Sequence, residues 1–125
     1  MKNKAQRLAC IDIGSNAIKY RQYRISSQKS KTFAELDTFK RISVRLGTDA
    51  FKFKKISSET EQKLLESIIK LKEKADKKDI KIISGVATSA MRTVSNGHKI
   101  CKKITKKTDI DCLLYTSDAA DDCEG

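Results

Sequence analysis

Two short stretches hold the residues whose types and spacing could do chemistry. The first is Ile11-Asp12-Ile13-Gly14-Ser15-Asn16. A carboxylate near the end of a buried strand sits where α/β sheets place ligands. It can hold Mg²⁺ directly or through water. Gly14 lets a backbone come close to a phosphate or turn tightly. Ser15 and Asn16 add a hydroxyl and an amide beside exposed N–H groups. Gly, Ser and Asn also favour plain hairpin turns, so the hexapeptide alone leaves phosphate binding and turn chemistry level.

The second stretch is Ala87-Thr88-Ser89-Ala90-Met91-Arg92, followed by Asn96-Gly97. A strand running into a helix N-terminus offers free N–H groups and a favourable dipole to an anion. Thr88 and Ser89 supply hydroxyls or cap the helix. Arg92, one turn in, can grip phosphate oxygens in a bidentate way that lysine cannot. A plain capped helix with a surface arginine explains the same letters. Arg45-Leu46-Gly47 is a third candidate, readable equally as a strand end with a glycine turn. His98, the single histidine, has no partner at metal spacing and reads as exposed. Cys10 and Cys101 read as small core residues, not nucleophiles.

The elements that must position these residues follow from periodicity. Residues 7–13 form a buried strand, and residues 17–25 a second strand returning through Gly-Ser-Asn as a hairpin. Residues 26–31 read as a polar loop. Phe39, Ile42, Val44 and Leu46 nearly alternate, which predicts a third strand ending at Gly47. Ser57 or Ser58 caps a helix, with Glu61 in its first turn or a capping box. Leu64, Ile68, Leu71 and Ala75 give that helix one apolar stripe, fading by residue 78. Residues 80–86 are a fourth strand leading into a helix with Ala90, Met91 and Val94 on one side. Asn96-Gly97 interrupts it, and a further helical segment carries Ile100, Cys101 and Ile104. A fifth strand is expected to begin at Thr108-Asp109-Ile110-Asp111. The order β-β-β-α-β-α-β predicts an α/β fold on a mixed sheet.

At 125 residues the chain is one domain at most. It has no proline or tryptophan and a net charge of +11. That charge suits a polyanion, yet lysines without aromatic interleaving equally describe a solvated surface. No apolar run approaches the roughly 18 residues of a membrane span, and the N-terminus is no signal peptide. A cytoplasmic protein without membrane partners is the expectation. Four cysteines without CxxC spacing suggest neither zinc nor a disulfide framework.

The composition changes at residue 112. Four of the sixteen acidic residues and none of the 27 basic ones fall in residues 112–125, which leaves +15 on residues 1–111. Cys112 to Asp121 reads as a translated transposase-type sequencing adapter, since the codons TGT CTC TTA TAC ACA TCT GAC GCT GCC GAC would reproduce it. Residues 112–125 are therefore expected to be foreign, as a fusion scar is, and residues 1–111 to be part of a longer protein.

Residues 8–111 resemble the N-terminal lobe of the exopolyphosphatase / guanosine pentaphosphate phosphohydrolase (Ppx/GppA phosphatase) family. The matching pieces, in order, are Ile11 through Ile18, Arg45-Leu46-Gly47, Lys55-Ile56-Ser57, and Ala87 through Arg92 with Asn96-Gly97. The resemblance implies an actin-like, ribonuclease H-like lobe, here truncated. It also implies hydrolysis of terminal phosphate from polyphosphate or guanosine pentaphosphate in a cleft between two lobes, with Mg²⁺. Asp12 would be the metal or phosphate-site carboxylate. Gly14, Ser15 and Asn16 would form the first phosphate loop, and Arg92 would bind the phosphate chain. Lys19 stands where the family usually has arginine. The family continues past the equivalent of Asp111 to a pair of glutamates, one the proposed general base. Neither they nor the second lobe occur in this chain. No catalytic residue is therefore assigned, and residues 1–125 are expected to be inactive alone.

The partners so implied are the phosphate substrate and the second lobe; a homodimeric parent is compatible with the resemblance and not fixed by it. Two alternatives remain. One is the nucleotide-binding lobe of another actin-like ATPase or sugar kinase, which the early Asp-x-Gly-x-Asn pattern also suits. The other is a small basic nucleic-acid-binding domain, disfavoured by few aromatics and no helix-turn-helix, zinc or RNP signature.

Overall fold

The computed structural model describes residues 6–114. Three antiparallel strands come first: β1 (Gln6–Ile13), β2 (Ala17–Gln28) and β3 (Lys31–Ser43). Then follow α1 (Leu46–Phe53), α2 (Ser58–Lys77), β4 (Lys81–Ala87), α3 (Ser89–Thr93), α4 (Gly97–Thr108) and β5 (Cys112–Leu114). The five strands form one mixed sheet in the order β3-β2-β1-β4-β5. β1 pairs antiparallel with β2 and parallel with β4, and β4 pairs parallel with β5.

Alternation along the strands decides which face is covered. Ala9, Ile11 and Ile13 of β1, and Ile18 and Tyr20 of β2, are buried. They pack in one apolar cluster with Leu64, Ile68, Leu71 and Ala75 of α2 and with Ile100, Cys101 and Ile104 of α4. The intervening residues Cys10, Asp12, Lys19 and Arg21 face the other way and are only part-buried. The stripe of α2 thus lies where its 3.6-residue period requires. Ser57 caps that helix, its hydroxyl accepting from the Thr60 N–H at 3.2 Å. Glu61 completes no capping box and instead pairs with Lys103 of α4. No described helix is long and apolar enough to cross a membrane.

Three expectations are corrected. The third strand does not run to Leu46; it ends at Ser43, and residues 46–53 are a helix that the order β-β-β-α-β-α-β lacks. Arg45 adopts a left-handed backbone (φ 54°), which breaks the alternation that Val44 and Leu46 carry on in the sequence. The expected loop at 26–31 is mostly strand, closed by Lys29 and Ser30, both at positive φ as in the primed turns that match strand twist. The fifth strand starts at Cys112, not Thr108, because α4 runs through Thr108 and Asp109 closes it in the left-handed conformation. The first three residues of the expected foreign segment therefore form β5, and residues 115–125 lie outside the described residues.

Candidate functional site

The turn between β1 and β2 is closed by the Gly14 N–H donating to the Ala17 carbonyl at 3.0 Å. Its shape is then fixed from outside by main chain alone. The Asn16 carbonyl accepts from the N–H groups of both Val44 (3.2 Å) and Arg45 (3.0 Å). The Ser15 carbonyl accepts from Gly47 at 2.7 Å. The left-handed Arg45 turns the chain so that these donors converge on the loop. A Cβ on Gly47 would lie 3.3 Å from Ser15 Cβ, so a side chain there would press on the loop. Arg45-Leu46-Gly47 is thus a clamp behind residues 14–16. Gly14 itself is not at positive φ, and a Cβ there meets nothing nearer than 3.5 Å. Local turn geometry therefore does not explain why position 14 is glycine.

The second stretch joins the first at the same sheet end. The Thr88 N–H donates to the Ile13 carbonyl at 3.1 Å, and its hydroxyl reaches the same oxygen at 3.5 Å. That hydroxyl does not cap α3, contrary to one of its expected uses. α3 is only five residues long, so its dipole is small and Arg92, exposed in its last turn, is the group able to attract an anion. Ser15 and Ser89 line one open groove of about 730 Å³ with Gly47, Ala50, Lys54 and Thr93.

Asn96-Gly97 serves the frame. The Asn96 side chain exchanges two hydrogen bonds with the Ile56 backbone, at 3.0 and 2.9 Å, while Ser95 N–H donates to the Lys54 carbonyl. Gly97 lies so close to Met91 that a Cβ would fall 2.1 Å from its carbonyl oxygen. Asp49 of α1 accepts from the Ser57 N–H at 2.8 Å, and that bond holds its carboxyl below the usual carboxylate range.

Asp12 lies on the sheet face away from the core. Its Oδ2 is 3.8 Å from Arg21 Nη1. Arg21 in turn sits over the Phe39 ring, 5.5 Å from the centroid. Among the described residues no three His, Cys, Asp or Glu side chains gather as a cation cage. A single part-exposed carboxylate still fits Mg²⁺, which keeps its water and takes one or two carboxylates together with substrate phosphates.

His98 is exposed on α4. Cys101 is buried there; its thiol, then burial, pushes the Cys112 thiol well above the ordinary range. The structure thus brings Gly14, Ser15, Asn16, Thr88 and Ser89 to one end of the sheet, with Arg92 on the helix that follows.

Two contributors escaped the sequence reading. The one trace of α1 in the sequence was Leu46 and Ala50 at helical spacing. Arg21 emerges only with the hairpin register, which sets Asp12 opposite Lys19 and Cys10 opposite Arg21, so that Asp12 and Arg21 are diagonal neighbours.

No family model matches the chain, and no curated protein matches it in sequence. Solved structures do match. A Ppx/GppA family member from Aquifex aeolicus superposes with a TM-score of 0.78 at 18% identity, over 91% of this chain and 36% of that one. An exopolyphosphatase from Cytophaga hutchinsonii gives 0.72 at 22% identity, over 89% and 34%. An exopolyphosphatase-like protein gives 0.75 at 19% identity, over 96% and 36%. The chain spans about a third of the length of these structures. Over that third it has the actin-like mixed α/β fold of the Ppx/GppA proteins.

Proposed function

We propose that this chain is the first phosphate-holding lobe of an exopolyphosphatase-type phosphohydrolase of the Ppx/GppA family. The observation that carries the reading is the convergence of Ser15 and Ser89 on one groove, at the end of a loop clamped by residues 44–47. A loop fixed by its own carbonyls leaves its side chains and remaining N–H groups for a ligand. Gly14 keeps the approach open. Ser15 and Asn16 donate to phosphate oxygens, and Arg92 offers a planar fork to the phosphate chain. Asp12 would hold Mg²⁺, which when bound neutralises charge on the phosphate to be transferred. Positioning and charge stabilisation of this kind supply most of the catalysis in phosphoryl transfer.

In-line attack by water also needs a general base to take its proton. No residue of this chain is assigned that role, so the lobe binds without turning over. The parent acts on polyphosphate or guanosine pentaphosphate, the choice resting with cleft surfaces outside this lobe.

The test is titration of the purified chain with short-chain polyphosphate. Arg92→Ala is expected to weaken binding about ten-fold, the lower end of the range for one charge-assisted hydrogen bond. Gly14→Ala is expected to weaken it while changing stability by less than about 0.5 kcal/mol, since nothing in the fold obstructs the added methyl. Unchanged binding in both variants rejects the reading. Mg²⁺-dependent hydrolysis by the chain that Arg92→Ala reduces rejects the inactivity.

A further inference from the structure

The sheet face that carries Asp12 has a charge pattern the phosphate loop does not explain. The β1–β2 register sets Asp12 opposite Lys19 and diagonal to Arg21. On this face, then, the cross-strand neighbours of Asp12 on β2 are both cations. Arg21 is not free to swing away. Its cross-strand partner on β3 is Phe39, and the guanidinium lies over that ring while its Nη1 reaches toward Asp12. A guanidinium held by an aromatic face keeps its charge, because stacking uses the flat side and leaves the N–H edge for the carboxylate.

Resting on the placement of the metal-binding carboxylate at Asp12, we propose that Arg21, steadied by Phe39, is a positioning residue that tunes divalent-cation uptake at Asp12. The guanidinium occupies the electrostatic place a cation would take, so a lone divalent ion meets a carboxylate already partly neutralised. An incoming phosphate meets the opposite situation: it is attracted by Lys19 and Arg21 and brings the negative charge that a metal needs. Metal binding is therefore coupled to phosphate binding and weak without it. The pair is part-exposed, which limits the effect to the range of surface ion pairs and makes it sensitive to salt.

The experiment is Mn²⁺ titration of the full chain by calorimetry, without phosphate. Arg21→Gln should tighten Mn²⁺ binding about three-fold, the ratio expected for an exposed ion pair. Arg21→Lys, which keeps the charge but loses the flat face that Phe39 holds, and Phe39→Leu should each tighten it by less than Arg21→Gln does. The Arg21→Gln effect should shrink as KCl is raised and vanish in the Asp12→Asn background. If Arg21→Gln fails to fold by circular dichroism, Arg21→Met carries the same expectation. Unchanged or weaker Mn²⁺ affinity in a folded Arg21 variant, or an effect that persists without Asp12, overturns the proposal. Mn²⁺ binding that Asp12→Asn leaves intact overturns the metal role of Asp12 itself, whereas binding that needs Asp12 but ignores position 21 overturns the role of Arg21 alone.

Discussion

The two ends of the β1–β2–β3 sheet are held by different means. At the end near the candidate site, three main-chain bonds to the Ser15 and Asn16 carbonyls set the loop. At the far end, side chains form the frame. Tyr20 donates to Gln22 Oε1 at 2.8 Å, and Gln22 donates to Asp37 Oδ2 at 2.7 Å. Arg7 and Arg24 close on the same carboxylate at 3.2 and 3.6 Å. Asp37 can reach them because it is the extra residue where the β2–β3 register shifts, a bulge that turns its side chain toward Gln22. Burial, then the nearby Asp37 charge, pushes the Tyr20 phenol up. The far end uses its polar side chains for structure; the near end is held by main chain, without the side chains of Ser15 and Asn16.

The sharpest way to break this contrast is at the junction that carries α3. Gly97→Ala would place a methyl against the Met91 carbonyl, which is backbone and cannot step aside. A loss of about 3 kcal/mol is expected by chemical denaturation, the upper end for overpacking.

The next effect belongs to the far end. Asp37→Ala strips the acceptor from buried Gln22 and from two arginines. It should cost about 1–2 kcal/mol, within the range for leaving a buried donor unpaired. Polyphosphate binding should stay unchanged. If binding falls with stability, the two ends are not independent.

The smallest effect concerns the one carboxylate that supports the near end. The Asp49 pKa is depressed in the folded state, chiefly by the Ser57 N–H. Its contribution is whole above the unfolded value of about 3.9 and fades as pH falls through the depressed folded value. A denaturation series from pH 5 to pH 2 should therefore show Asp49→Asn losing its difference from wild type at the acid end. That difference should be about 1 kcal/mol at pH 5. A difference that does not vary with pH sinks the assignment.

How legible each part was in sequence follows the same division. The α2 stripe was plain because Leu64, Ile68, Leu71 and Ala75 repeat without interruption. Gly14, Ser15, Asn16 and Arg92 could be named as candidates because residue types suited to a phosphate stand out in a sequence. The clamp could not be read. It uses main-chain groups, which every residue has, and the only trace was Arg45-Leu46-Gly47 standing at a fitting distance. α1 was hidden by an accident of spacing: Val44 and Leu46 prolong the alternation of β3, and only the left-handed Arg45 ends it. Arg21 was hidden because its role depends on strand register and on Phe39 two strands from Asp12.

The clamp also makes the loop observable from a distance. The amide protons of Val44, Arg45 and Gly47 are bonded to the loop they steady, so they exchange with solvent only when that loop lets go. A ligand that quiets residues 14–16 would slow deuterium uptake near residue 45, about thirty positions along the chain, without touching it. Mass spectrometry of one peptide across that junction would then report occupancy of the loop, with no label and no substitution in the site itself.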